Sequence, residues 1–342
     1  MAKAHAMTGK DLTRLKALYR ATGIENRYST IPDYAIDQPE KRSFYTEHER
    51  LEPFPTTKQR SEFYRKEAIK LSIDSAKNCM DETNVSASEI THLITISCTG
   101  MYAPGLDIDL VNELGLKKNV ERTCINFMGC YAAFVGIKSA VAFCAANPLA
   151  KVLVVATELC TLHFQNKTDE ETLIANAIFG DGSAALLIAN EGENTKGVRL
   201  KPIAFHNELF SEGASEMAWN IGNHGFEMKL SAYVPSLIEK GIDELVTRLK
   251  KKEAVDHIEH FAFHPGGKRI LEVIEQELGL SKTEGWAGRE VLKNYGNMSS
   301  PTVLFVLKTL MNSLKKEQQG EKVLSLAFGP GLTVESMILE VV

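Results

Sequence analysis

Apolar residues along the chain gather in short runs, separated by longer stretches with helical spacing. Residues 90–97 (ITHLITIS), 123–127, 152–156, 184–188, 260–263 and 323–328 are compact β-rich runs of the kind that form buried strands. Between them, residues 67–78, 132–146, 232–250, 269–278 and 301–314 carry apolar side chains at helical intervals. Strand–helix alternation of this kind predicts an α/β fold with helices covering a largely parallel sheet. The charged run 250–253 (KKKE) reads as a solvated helix end.

The pattern repeats within the chain. FGDGSAALLIA at 179–189 and FGPGLTVESMIL at 328–339 each begin Phe-Gly-X-Gly and continue into strand-like residues, as two hairpins would. Upstream, each half has a glycine, a polar or reactive residue and a helix: Gly129-Cys130 in one, Gly296-Asn297 in the other. Further upstream, each has a strand followed by a Gly/Pro loop, ISCTGMYAPG and FAFHPGGKR. Four features in one order imply two similar α/β halves, residues 1–190 and 191–342, packed about a pseudo-twofold with chemistry where their loops meet.

Composition narrows the function classes. The 342 residues are 44% hydrophobic and 24% charged, ordinary for a globular chain, and the net charge of -5 offers no basic field for nucleic acid. No apolar run approaches the roughly 20 residues of a membrane helix, and the N-terminus has no apolar signal core. The six cysteines show no CxxC pair and read as reduced thiols, which predicts a cytoplasmic protein with no membrane span.

One of those thiols stands apart. Cys130 follows a β-run and a glycine and opens a helix, where the dipole and unpaired N–H groups favour thiolate. His264 ends a strand beside Pro265-Gly266-Gly267, at the carboxyl edge where α/β sheets place their sites. Asn297 precedes a helix, a position that also suits a plain helix cap. Together the three have a mechanism. A cysteine holds an acyl group as a thioester, while imidazole and carboxamide donors stabilise an enolate oxygen. Cys–His–Asn sets also serve papain-like hydrolysis, where Asn orients His, and spacing alone does not separate these uses.

The segments GCYAAFVGIKSAVAF, VLVVATEL, FGDGSAALLIA, FHPGGKRILEVIEQEL, LKNYGNMSSPTVLFVL and AFGPGLTVESMIL resemble the type III polyketide synthases, the chalcone synthase-like family. The resemblance runs from about Glu25 to the C-terminus. It implies a thiolase fold of five αβαβα layers, a homodimer and a Cys130–His264–Asn297 triad. It also implies malonyl-CoA as extender, an acyl-CoA starter, and no metal or organic cofactor. Cys130 would take the starter from CoA, and His264 and Asn297 would stabilise the enolate left when malonyl-CoA loses carbon dioxide. After several condensations the polyketide would cyclise, usually to a pyrone or phenolic ring.

The same resemblance identifies the walls of the site. Phe179 matches one of the family's two gatekeeper phenylalanines, and Met228 falls on the other. Cys98, Thr99, Ala103, Cys160, His163, Trp219 and Ser299 fall at cavity positions. Cys98, Thr99, Ala103 and Cys160 are similar to bacterial members that take long acyl chains and make alkylpyrones or alkylresorcinols. Trp219, if it points inward, narrows the cavity as in the malonyl-primed tetrahydroxynaphthalene synthases. Arg14, Lys16 and Arg20 in DLTRLKALYR, with Lys268 and Arg269, are candidates for the CoA phosphates. The family's first strand has no counterpart here. Two rivals remain: a β-ketoacyl-ACP synthase III-like ketosynthase, and a non-catalytic homologue that binds acyl-CoA.

Overall fold

The computed structural model describes all residues except 1–3, 6, 47, 49, 191–196, 232 and 253–254. In chain order the elements are α1 (Gly9–Ala21), α2 (Thr57–Thr83), β1 (His92–Ser97), α3 (Leu106–Glu113), β2 (Glu121–Asn126), α4 (Ala132–Ala146), β3 (Lys151–Leu159), α5 (Glu170–Ile178) and β4 (Asp181–Ala189). There follow β5 (Leu200–Leu209), β6 (Met217–Gly222), β7 (Gly225–Leu230), α6 (Val234–Lys252), β8 (His260–Phe263), α7 (Lys268–Glu277), α8 (Trp286–Tyr295), α9 (Pro301–Met311), β9 (Lys322–Gly329) and β10 (Thr333–Val341).

Two four-stranded sheets carry the fold, in the orders β2-β1-β3-β4 and β5-β10-β9-β8. In the first, β1 runs parallel to β2 and β3, and β4 returns antiparallel to β3. In the second, β8 and β9 are parallel, and β10 is antiparallel to both β9 and β5. The expected largely parallel sheet is therefore mixed in both halves. The three shared strands match in order and direction: β1, β3 and β4 correspond to β8, β9 and β10. The flanks differ. β5 covers β10, whereas no described strand covers β4, whose residues 182–188 are only half-buried.

The helices form three layers around these sheets. Helices α4 and α9 lie between them, in a core that includes Ile96, Phe134, Val154, Val303 and Met337. Helices α2 and α3 cover the outer face of the first sheet through Ala76, Leu110 and Leu153. Helices α6 and α7 cover the second through Leu245, Leu271 and Leu326. Both α4 and α9 are apolar around most of their circumference, as a helix packed between two sheets must be. The result is the five-layered arrangement. The expected division at 190/191 falls at the edge of residues 191–196, outside the described residues.

Several sequence expectations shift in detail. Helix α4 matches its expected bounds, but α2 begins ten residues earlier than expected, at a capping box in which Thr56 and Gln59 cap each other. The two Phe-Gly-X-Gly runs are not both hairpins. Phe328-Gly329-Pro330-Gly331 turns β9 into β10, whereas Phe179-Gly180 joins the end of α5 to β4. Strands β5, β6 and β7 and helices α3, α5 and α8 were not among the expected elements; β5 contains a proline and β6–β7 forms a separate hairpin.

One ion pair ties the central helix to the second sheet. Lys138 of α4 reaches Glu335 of β10 at 2.7 Å, with the carboxylate side chain 5% exposed. Burial raises the Glu335 carboxyl, and the lysine counteracts it. Lys138→Met is expected to cost on the order of 3 kcal/mol in urea unfolding, because it leaves a buried carboxylate without its partner. Lys138→Met/Glu335→Gln should recover much of that loss.

Candidate active site

The backbone is bent into unusual conformations at corresponding points of the two halves. Between β2 and α4, Phe127 and Gly129 adopt φ of 59° and 83°; around Asn297, Gly296 and Ser299 adopt 70° and 59°. A side chain at Gly129 would also overlap the Pro330 ring, so the hairpin of the second half presses on the turn that presents Cys130. Non-glycine residues held in the left-handed region store strain, and here they flank both residues singled out from the repeat.

The halves are stitched together at this point. The Asn297 N–H donates to the Ile178 carbonyl at 2.8 Å, and the Gly180 N–H donates to the Asn297 carbonyl at 2.9 Å. Residues 179 and 297 thus form an isolated parallel bridge. The Asp181 carboxylate, next along, accepts from the N–H and hydroxyl groups of both Thr30 and Thr161.

Cys130, His264 and Asn297 all line one cavity of about 340 Å³. Each is nearly or fully buried. The Asn297 Oδ1 accepts from the Ser299 N–H at 2.8 Å and the Thr302 hydroxyl at 3.4 Å, while Nδ2 donates to the Gly266 carbonyl at 3.2 Å. Its oxygen takes two donors and one N–H goes to Gly266, while the Ser299 and Asn297 side chains both favour the thiolate form of Cys130. Among the described residues neither ring nitrogen of His264 has a hydrogen-bond partner, so no bond from Asn297 orients the ring as in a papain-like set.

Burial sets the charge state of the pair. It pushes the Cys130 thiol up to about 11, with the Ser299 and Asn297 hydrogen bonds acting in the other direction. It pulls the His264 imidazole down to about 3. Burial thus favours the uncharged thiol and the uncharged imidazole.

Of the expected wall residues, Phe179, Met228, Cys98, Thr99, Cys160, His163, Trp219 and Ser299 line the same cavity. Ala103 does not. It lines a second cavity of about 270 Å³ with Tyr64, Met101 and Cys124, on the far side of the 97–100 segment. Trp219 does point inward: its indole N–H donates to the Cys98 carbonyl at 2.7 Å. The imidazole of His163 stacks on Phe226 at 4.2 Å and meets Trp219 edge-on at 5.5 Å.

Arg14, Lys16, Arg20, Lys268 and Arg269 are all exposed and none lines the cavity. Lys268 and Arg269 adjoin the lining residues Gly266 and Ile270, and Arg269 pairs with Glu272 at 3.6 Å. Sequence reasoning missed the cations that do line it, Arg27 and Lys167. Arg27 donates to the carbonyls of Asn176 and Phe179, and Lys167 pairs with Glu227 at 2.8 Å. It also missed Glu158, a fully buried carboxylate held by the Cys98 and Thr99 N–H groups and by hydroxyls of Ser97, Thr99 and Ser300. A carboxylate inside the apolar run VLVVATEL was the available signal.

A thiol, a free imidazole and an oriented carboxamide at the meeting of two duplicated halves define a condensing enzyme of the thiolase fold. Residues 7–192 match the family Chalcone and stilbene synthases, N-terminal domain, and residues 203–342 match the corresponding C-terminal domain. The chain belongs to this family, the type III polyketide synthases, acyltransferases that form carbon–carbon bonds. It is 31% identical over 300 residues to the α-pyrone synthesis polyketide synthase-like Pks18 of Mycobacterium tuberculosis, covering 86% of this chain and 75% of that one. It is 30% identical to type III polyketide synthase A of Arabidopsis thaliana, covering 95% and 83%. Among solved structures, the 1,3,6,8-tetrahydroxynaphthalene synthase of Streptomyces coelicolor superposes with a TM-score of 0.85 at 27% identity, over 97% of this chain and 90% of that one.

His163 gives the site a pH signature. Its Nε2–H donates to the Thr99 carbonyl and its Nδ1 accepts from the Phe226 N–H, which fixes it as neutral; burial pulls it down to about 3. The unfolded chain binds this proton near pH 6.5, so the stability it supports is present above that value and lost as pH falls. His163→Gln should make stability less acid-sensitive by about 1.4 kcal/mol per pH unit between roughly pH 6 and 4.5, read from urea midpoints.

Proposed function

We propose that the enzyme carries out iterative decarboxylative condensation of malonyl-CoA onto a starter acyl group held on Cys130, and releases a pyrone or phenolic product. The observation that supports this most is the orientation of Asn297, whose oxygen is occupied and whose free N–H shares the cavity with the unpartnered imidazole of His264. Two donors beside a thiol suit an enolate oxygen, each typically contributing about 3 kcal/mol in a dry site.

In this reading Cys130 gives its proton to His264 as it attacks the starter thioester and expels CoA. Malonyl-CoA then loses carbon dioxide, and His264 and Asn297 hold the enolate oxygen. The enolate carbon attacks the Cys130 thioester and frees the thiol as the lengthened chain returns to CoA. Phe179 and Met228 stand between the CoA entrance and the inner cavity. Lys268 and Arg269, beside the lining residues of α7, and Arg14, Lys16 and Arg20 of α1 are the cations proposed for the CoA phosphates. No metal or organic cofactor takes part, and the working form is a homodimer. Among the described residues no helix is long and apolar enough to cross a membrane.

For the starter, the inward Trp219 and the wall it forms with His163 favour a short acyl group or malonyl itself. The long-chain reading rests on Cys98, Thr99, Ala103 and Cys160 and on a tunnel beyond the main cavity; Cys98, Thr99 and Cys160 line the main cavity and Ala103 lines the second. One observation keeps a second reading in view: the cavity beside Ala103 is large enough to take an acyl tail if the 97–100 segment yields. The relative named for α-pyrone synthesis is compatible with either, because a short or a long chain can close to a pyrone.

Malonyl-CoA, without carrier protein, supplied with a ladder of acyl-CoA starters should give multi-round products by mass spectrometry, with short starters preferred in kcat/KM. A single condensation that needs carrier protein would point to the ketosynthase, and no turnover to the non-catalytic homologue. His264→Ala or Asn297→Ala should each slow malonyl-CoA decarboxylation by about 100-fold or more. Decarboxylation that survives both changes intact sinks the mechanism.

A further inference from the structure

Arg60 of α2 is fully buried, and among the described residues no carboxylate pairs with it. Its Nε–H donates to the Pro55 carbonyl at 3.0 Å. Its Nη1 donates to the carbonyls of Leu162 and Phe164, the two residues on either side of His163. Desolvating a cation without a counter-ion costs several kcal/mol, and a hydrocarbon side chain would fill the space without that cost. What a guanidinium adds is a rigid set of donors that holds fixed carbonyls.

The segment it holds is the short turn Cys160–His163, which brings Cys160, Thr161 and His163 to the cavity. From there a continuous set of contacts runs along the wall. His163 bonds to the Thr99 carbonyl and to the Phe226 N–H, stacks on Phe226 and abuts Trp219, which is itself bonded to the Cys98 carbonyl. Gly225 lies within the same knot: a Cβ there would come within 2.8 Å of Arg60 Cδ and 3.2 Å of His163 Nδ1. Arg60 itself does not line the cavity.

We infer that Arg60 is a positioning residue for chain length: by clamping the peptide on both sides of His163 it fixes the His163–Phe226–Trp219 wall, and so sets how many malonyl units fit before cyclisation. The inference rests on the polyketide-forming reading above and adds to it a residue that never touches substrate. Cys130, His264 and Asn297 lie outside the clamped segment, so malonyl-CoA decarboxylation and acylation of Cys130 should not depend on it.

The experiment uses the full chain with Trp286→Phe, which leaves Trp219 as the sole tryptophan. In Arg60→Met, decarboxylation should be retained, the number of malonyl units per product should change by one or more, and acrylamide should quench Trp219 more strongly. Arg60→Lys, which keeps the charge and can reach one carbonyl, should lie between wild type and Arg60→Met. His163→Thr should alter product length and quenching in the same sense, and combining it with Arg60→Met should add nothing further, as for two residues acting through one contact. A folded Arg60→Met with wild-type product length and quenching overturns the inference, as do effects that add in the double variant. If Arg60→Met does not fold, the same outcomes are read from Arg60→Lys. The quenching comparison decides the wall's dependence on Arg60 even if the wild type makes no polyketide, so the two readings fail separately.

Discussion

The two backbone hydrogen bonds between residues 178–180 and Asn297 are the contact on which the site depends. They join the end of α5 in one half to the approach to α9 in the other, and so fix Asn297 relative to the wall residue Phe179. Everything around them is arranged to keep that junction from sliding. Asp181 ties it to the 28–30 segment and to Thr161, Arg27 holds the Phe179 carbonyl, and the Met298 side chain packs where Gly182 has none. A cavity assembled from two halves needs such a junction, because Cys130 comes from one half and His264 and Asn297 from the other.

The same architecture explains how a reactive thiol is kept quiet. Cys130 and His264 are buried together, and each is driven to its uncharged form. The polar groups nearby are committed: Glu158 to five donors, Asn297 to its neighbours. Among the described residues the His264 ring nitrogens have no partner, and Asn297 spends one carboxamide N–H on Gly266. Preorganised donors of this kind need not reorient as charge develops, which is the main route by which a dry cavity accelerates enolate chemistry.

Much of this was legible in the chain. The strands of the inner sheets are apolar on both sides, so β1, β3, β8 and β9 stood out as runs, and α4 matched its expected bounds. The duplicated order of Gly129-Cys130 and Gly296-Asn297 pointed to the junction before any coordinates. What could not be read was tertiary. Ala103 and Cys98 are five residues apart, yet they face different cavities, because the turn into α3 carries one away from the other. The β6–β7 hairpin brings Trp219 onto Cys98 across more than a hundred residues. Arg60 falls outside the helix expected at 67–78, and only packing shows it to be buried against the turn that carries His163. The surface cations singled out for CoA are exposed and outside the cavity lining, and the lining cations Arg27 and Lys167 are already engaged by carbonyls and a carboxylate.

The asymmetry between the flanks of the two sheets has a consequence for how the protein behaves in a crowded solution. Strand β10 is screened by β5, but β4 ends its sheet with a run of small and apolar residues and no described neighbour beyond it. Such an edge presents unpaired peptide groups along an apolar ribbon, the template on which strands from other molecules add. The half of the molecule that carries Cys130 thus has an edge at β4 where the other half has β10 covered by β5. Dilution, low temperature during synthesis, or a charged residue placed on β4 would bear on yield and shelf life without touching the chemistry.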